Sequence, residues 1–316
     1  MPSFTRLPHR KILREWSLPL SSHILIEDQF SAKAKDLRRF YDQAFANPRE
    51  TDSKRFVWDY WHVPDQYTLV RTPAYHYFPK KLYMSFHKEL VMWGRNTLGC
   101  WDISPPWLSY YVDGCKQEFH SDVPHGPWAY VYSLTVGKKF TGGETKILKP
   151  EVLSYWNSFR RQDHHELGQL VDHIPAKFNR LTVFDPRYPH GVTEVHGTHD
   201  PREARLVIHG WFMAPKTYIE GTIPAARAEK KLNETFSVLS ELLAHFEPAQ
   251  GTVSLRLVIG SNGRVREAKF MTNTLLTRHG EVPRALNRSI LNLYRAVEFP
   301  TSRGQTRMTI PLIFSE

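Results

Sequence analysis

Cysteine is scarce in this chain: its 316 residues include two, Cys100 and Cys115. Two thiols cannot build a disulfide framework, so a reducing, cytoplasmic setting is the simplest expectation. Long apolar runs are missing too. No stretch approaches the ~20 apolar residues that span a bilayer, so no membrane is expected as a partner. The basic residues Arg6, Arg10, Lys11 and Arg14 are followed by no apolar run, so no secretory signal is expected. There is no low-complexity tract and no internal repeat, which argues against a solenoid. Nor is there a long basic block. The formal net charge of +10 favours anionic partners in general. The Lys and Arg are scattered, however, and no basic-aromatic groove pattern stands out, so nucleic acid is not expected as a partner.

What is present fits a soluble globular protein, with 41% hydrophobic and 23% charged residues. The length suits two domains. Aromatic residues make up 13%, with 9 Trp, a content suited to a β-rich core or an aromatic-lined pocket.

Residues 1–106 read as a mixed, partly helical support. Asp28 is placed to cap a helix through AKAKDLRRFYDQAF that ends before Pro48. A second helix is predicted over KKLYMSFHKELVMWGRNTLG, closed by its glycine. From Trp107 the texture changes. WLSYYVDG, WAYVYSLTV, ETKIL, RLTVFDP and ARLVIHGWF are short, rich in β-branched and aromatic residues, and bounded by Gly, Pro and Asp. They predict an all-β sandwich or barrel over 107–218. Residues 219–249 read as a helical connector, through AARAEKKLNETFSVLSELLAHF. The rest reads strand, strand, helix, strand: TVSLRLVIG and VREAKFMTN about the turn Ser261-Asn262-Gly263, then PRALNRSILNLYRAV, then QTRMTIPLIF. That makes 250–316 a small α+β unit.

The residues with chemistry to offer lie in the β region. His120 and Asp122 are two apart beside a predicted strand, and in extended chain such residues share a face. His190, after RLTVFDP, is the best third ligand. Two His and one carboxylate on one face of an ion leave positions open for other ligands, as in non-haem Fe(II) oxygenases; zinc is the competing metal. With 16 His in the chain, H-x-D alone is weak. The order of what surrounds it is more specific. Tyr111-Val-Asp-Gly114 precedes His120-x-Asp122, Gly142-Gly143-Glu144-Thr145 follows, then His190, then Arg205 with Trp211-Phe212 beyond.

This set, spanning roughly 107–213, resembles the prolyl-hydroxylase-like branch of the 2-oxoglutarate- and Fe(II)-dependent oxygenases. The resemblance implies a double-stranded β-helix, or jelly-roll, with Fe(II) bound by His120, Asp122 and His190. It implies 2-oxoglutarate and O₂ as cosubstrates, with the distal carboxylate held by Arg205. A guanidinium fork suits that task. Tyr111 falls where the family places a hydroxyl donor to the cosubstrate, and Trp211 where an aromatic closes the pocket. Two departures stand out. HGTHDPREA lengthens the gap between His190 and Arg205, which leaves Arg202 as an alternative anchor, and Ser133 stands where the family often has Tyr. The implied activity is hydroxylation of a C–H bond in a protein side chain or small metabolite, with release of succinate and CO₂. A non-catalytic metal-binding jelly-roll and a nucleic-acid demethylase of the same superfamily are the competing readings.

Residues 250–316 resemble the C-terminal domain of TonB-like proteins, through Gly251-Thr-Val, Val258-Ile-Gly, Gly263, Val265, Phe299-Pro300 and Pro311-Leu-Ile-Phe314. That implies peptide docking or homodimer formation through an exposed edge strand; a stabilising cap is the alternative. The unit is expected to hold no iron ligand, with His279 its sole candidate.

Overall fold

Side chains of a β-strand alternate between its two faces, and in this protein that alternation separates a packing surface from a cavity wall. The computed structural model describes residues 23–46, 58–137, 139–150 and 170–315. The N-terminal basic residues and Pro48 lie outside them. In chain order the first part contains β1 (Ile24–Asp28), α1 (Ala34–Ala44), β2 (Asp59–Val63), β3 (Tyr67–Pro73), α2 (Ala74–Tyr77), α3 (Lys80–Thr97) and β4 (Cys100–Ile103). Then follow β5 (Trp107–Tyr111), β6 (Lys116–His120), β7 (Trp128–Ser133), β8 (Thr145–Leu148), β9 (Val171–Ile174), β10 (Arg180–Phe184), β11 (His190–Val192) and β12 (Arg205–Pro215).

Strands β5 to β12 pair as β5-β12-β7-β10 and as β6-β11-β8-β9, all antiparallel. Two four-stranded sheets wound this way form a jelly-roll. The segment read as helical support contributes strands as well. β3 joins the two sheets between β5 and β6, β1 extends one edge on β10, β2 pairs with β3, and β4 pairs with β12.

One face of the β5-β12-β7-β10 sheet carries Trp128, Tyr130, Tyr132, Leu181, Val183, Leu206, Ile208 and Phe212 against the helices. The residues between them, including Ala129, Val131, Phe184, Arg205, Val207, His209 and Trp211, face a cavity. Helix α1 forms because its apolar residues recur at helical spacing: Ala34, Leu37, Tyr41 and Ala44 are buried along one side. Asp28 does not cap it. The helix starts after Lys33 with no side-chain cap, while Asp28 ends β1, where Lys177 and Arg180 neutralise it at 2.8 and 2.7 Å. Extended pairing with β10 claims Asp28 before the helix can.

After β12 the chain continues through β13 (Tyr218–Gly221), α4 (Ala225–Leu243), β14 (Ala249–Ile259), β15 (Val265–Asn273), β16 (Leu276–Thr277), α5 (Arg284–Arg295) and β17 (Thr306–Phe314). The second sheet has the order β13-β17-β14-β15, with β16 on the start of β14. Segment 219–249 is built into it: β13 pairs with β17, and Ala228, Leu232 and Leu239 of α4 share a core with Leu255, Ile290 and Ile310. The hairpin turn ends on Gly263 at φ +80°.

The two sheets meet at the end of α3. Ser254 Oγ donates to the Leu98 carbonyl at 3.0 Å and Thr309 Oγ1 to the Asn96 carbonyl at 2.8 Å. Gly99, at φ +72°, closes the helix because a Cβ there would lie 2.7 Å from the Pro311 ring. A second contact runs through Leu276, which is buried in one cluster with Ala129, Ile147, Phe184 and Tyr188. Among the described residues, no helix is long and apolar enough to cross a membrane.

Candidate metal centre and its cavity

His120 is the last residue of β6 and His190 the first of β11, and the two are register partners across the ladder. Asp122 follows β6 by two residues. The ligand atoms of these three side chains lie within 4.8 Å of one another. His190 Nε2 is 3.2 Å from Asp122 Oδ2, and His120 Nε2 is 3.9 Å from it. Neighbouring ligands about 2.1 Å from an ion would sit about 3 Å apart, so a small closure completes the set.

The tautomers follow from the backbone. His120 Nδ1 lies 2.9 Å from the Glu118 carbonyl and His190 Nδ1 lies 3.0 Å from that of Tyr188. A carbonyl only accepts, so each Nδ1 carries a proton and each Nε2 is turned into the cavity towards Asp122. Burial pushes the His120 pKa down. Burial would raise that of Asp122, but the His190 hydrogen bond and the neighbouring imidazoles outweigh it and hold it low. Neutral imidazole and ionised carboxylate are the forms that bind metal.

The cavity holds about 400 Å³, and Arg205 shares it with the three ligands. Arg205 is 1% exposed. Its Nη2 donates to Thr145 Oγ1 at 3.1 Å, and its guanidinium carbon lies 4.5 Å from the centre of the Tyr111 ring. Nε and Nη1 are buried with no hydrogen-bond partner. Among the described residues, no carboxylate lies within ion-pair distance. Leaving a buried guanidinium without a counter-charge costs several kcal/mol, by the usual order of such penalties. The two glycines before Glu144 build this corner. Both have φ near +75°; a Cβ on Gly142 would overlap the Glu194 carbonyl, and one on Gly143 would lie 3.2 Å from Arg205 Cδ. They bring Thr145 over the guanidinium.

Tyr111 lies under Arg205 and sends its hydroxyl to Gln117 Oε1 at 3.2 Å. Trp211 lines the cavity and stacks on His125 at 4.5 Å. Arg202, the alternative anchor, points elsewhere. It is held on the surface by Asp200, at 2.9 Å, and does not line this cavity. The added length of HGTHDPREA is taken up in turns outside the barrel, with Asp200 accepting from the Arg202 and Glu203 amides.

No family model and no curated protein matches the chain. Among solved structures, similar ones include a prolyl hydroxylase from Trichoplax adhaerens in complex with a hypoxia-inducible-factor peptide. It is 14% identical, with 60% of this chain and 83% of that one aligned at a TM-score of 0.40. A prolyl-4-hydroxylase from Pseudomonas putida is 15% identical over 60% of this chain and 92% of its own, at 0.35. The α-ketoglutarate-dependent epimerase SnoN is 12% identical over 59% and 74%, at 0.40. At such TM-scores the fold rests on the strand order and the site on its own atoms.

Four cavity residues are not evident from sequence patterns. Arg71 sits on β3 with its guanidinium carbon 3.1 Å from the Trp61 ring centre and 4.0 Å from that of Trp107. His209 Nε2 is 2.8 Å from Ser109 Oγ. Burial, with the charges of Arg205 and Arg71, pushes the His209 pKa down to about 3, so the ring is neutral at ordinary pH. The available signal was alternation: Leu69 and Arg71 share one face of a strand, as do Arg205, Val207, His209 and Trp211.

Proposed function

We propose that this protein is a 2-oxoglutarate- and Fe(II)-dependent oxygenase acting on a C–H bond. The observation that carries the reading is Arg205: a buried guanidinium without a counter-charge, opening on the same cavity as two imidazoles and a carboxylate. A carboxylate ligand supplies the missing counter-charge and an acceptor for an orphaned nitrogen, Nε or Nη1. The donor set suits Fe(II), which takes two His and one carboxylate on one face.

In this reading His120, Asp122 and His190 hold the metal, and Arg205 holds the distal carboxylate of 2-oxoglutarate. Bound Fe(II) with 2-oxoglutarate supplies oxidative chemistry, converting the cosubstrate and O₂ to succinate, CO₂ and an oxidised C–H bond. The chain's own part is orientation. The carbonyls of Glu118 and Tyr188 fix the two imidazoles, while Thr145 and the Tyr111 ring fix the guanidinium plane. His209 stays neutral, so no third cation competes for the anion. Trp107 and Trp211 narrow the cavity and limit water.

The test is equilibrium binding of Fe(II) and 2-oxoglutarate under argon, followed by succinate release in air. Wild type should bind one Fe(II), bind 2-oxoglutarate only with metal present, and release succinate slowly without a second substrate. His120→Ala, Asp122→Ala and His190→Ala should each lose the metal while keeping the wild-type circular dichroism spectrum. Metal content near wild type in any two of them sinks the assignment.

A further inference from the structure

We propose that the molecule oxidised in this cavity is anionic, with a carboxylate or phosphate group that docks on Arg71. This rests on the reading above, in which Arg205 is taken by the cosubstrate.

The cavity contains more positive charge than one dicarboxylate bound at metal and Arg205 would neutralise. Arg71 is a second guanidinium on its wall, and its setting is that of a receptor. Its guanidinium carbon lies over the Trp61 and Trp107 rings, and cation–π attraction to both holds the group in place while its N–H donors remain for ligands. Nε is buried with no hydrogen-bond partner. Its cross-strand neighbour Asp59 shares its face of the β2–β3 ribbon and acts on it through space, but is exposed and forms no ion pair with it. Among the described residues, no other acid is within ion-pair distance of Arg71.

The remaining unpartnered groups agree. Among the described residues, the buried nitrogens without partners on this wall belong to Arg71, Arg205 and Trp211, and all are N–H donors. Among the described residues Asp122 is the one carboxylate on the wall, and in the proposed function it belongs to the metal set. A cavity of donors is complemented by acceptors. The two cations also stand apart. Arg71 pairs across Ser109 with the Val207 rung, and Arg205 pairs with Tyr111 one inward rung further on. Two strand spacings and two residues separate their Cα atoms by about 12 Å. His209 lies one inward rung beyond Val207 on β12, and both charges depress its basicity. One anion therefore serves each end.

The test measures binding, not turnover. Full-length protein with Fe(II) under argon is titrated by calorimetry with phenylacetate, phenyl phosphate and phenylacetamide, with and without saturating 2-oxoglutarate. Either anion should bind at least tenfold more tightly than the amide, and the tighter of the two identifies the group. Arg71→Gln keeps a planar stacking group and should weaken the preferred anion at least tenfold while leaving 2-oxoglutarate affinity within twofold. Arg205→Gln should do the reverse. Equal binding of acid and amide, or no binding of either anion to wild type, overturns the proposal without needing a variant. So does loss of 2-oxoglutarate binding in Arg71→Gln, which would place Arg71 in the cosubstrate site. If 2-oxoglutarate never binds but anion binding still needs Arg71, the cosubstrate reading falls and the anion site stands.

Discussion

Strands β12 and β14 each run eleven residues through the middle of a sheet and each bury polar side chains, but they treat those groups in opposite ways. On β14, the Thr252 and Ser254 amides donate to the hydroxyls of Thr274 and Thr272 on the β15 side, and Ser254 Oγ reaches the Leu98 carbonyl. Arg256 on the same strand donates to Thr309 Oγ1 at 3.0 Å and to the Asn96 carbonyl at the end of α3. Every one of these groups is answered within the chain. On β12, Arg205 is more deeply buried than Arg256 yet has two nitrogens unanswered. Buried polar groups in native proteins are nearly always paired, so the strand with the deficit is the strand that awaits a ligand. A satisfied guanidinium is architecture; in the proposed function, the unsatisfied one beside the His–Asp–His cluster is a receptor.

The sharpest way to break this contrast is to remove each guanidinium in turn. Arg205→Met should weaken 2-oxoglutarate binding at least about 100-fold, roughly 3 kcal/mol. The ligand-free protein should melt no lower than wild type, because an uncompensated buried charge has been removed. A large fall in its melting temperature would show that Arg205 is structural after all.

Next in size is the acid limb of stability. An unfolded chain takes up the His209 proton near pH 6.5, whereas the folded chain resists it until about pH 3. Between those values the unfolded state binds more protons, so the stability of the metal-free protein should fall as pH drops, at up to about 1.4 kcal/mol per unit. Urea melts of His209→Asn from pH 6.5 to 4 should show a flatter slope. An unchanged slope would mean that His209 is not the group refusing the proton.

Arg256→Met should cost about 1–3 kcal/mol in urea unfolding, since carbonyl acceptors at the α3 terminus lose a charged donor, and should leave 2-oxoglutarate affinity unchanged. The smallest effect belongs to Arg202→Ala. Its side chain is outside the cavity, so 2-oxoglutarate affinity should stay within twofold; a tenfold loss would return the anchor to the HGTHDPREA loop.

Much of the fold can be read from local texture. The strands after Trp107 alternate, carry β-branched and aromatic residues and end on turn formers, and the second sheet's hairpin is marked by Asn262-Gly263. What local texture misses depends on pairing between distant segments. Asp28 looks like a helix cap until β1 finds β10. Arg71 lies in a stretch whose neighbours suggest helices, and only its pairing with β5 and β6 turns it toward the cavity. Thr145 is an ordinary strand residue until two left-handed glycines bring it to Arg205. His120, Asp122 and His190 stand out because their chemistry is rare in that order, whereas the Trp61–Arg71–Trp107 stack has no spacing that would announce it.

The position of Leu276 has a consequence for how the protein matures. The carboxylate of Asp185, near the loop that leads to His190, holds Arg187, which in turn donates to Thr274 Oγ1 at 3.1 Å. Leu276 then fills the cluster formed by Phe184 and Tyr188. A packing partner of the loop that leads to His190 is thus synthesised nearly ninety residues after the loop itself, by the numbering of Tyr188 and Leu276. During translation the jelly-roll strands leave the ribosome with one flank of that loop uncovered. If the proposed function holds, metal loading belongs to chains that extend past Leu276, and a ribosome stalled before residue 274 would leave a nascent chain that carries the three candidate ligands but lacks the support that steadies the third.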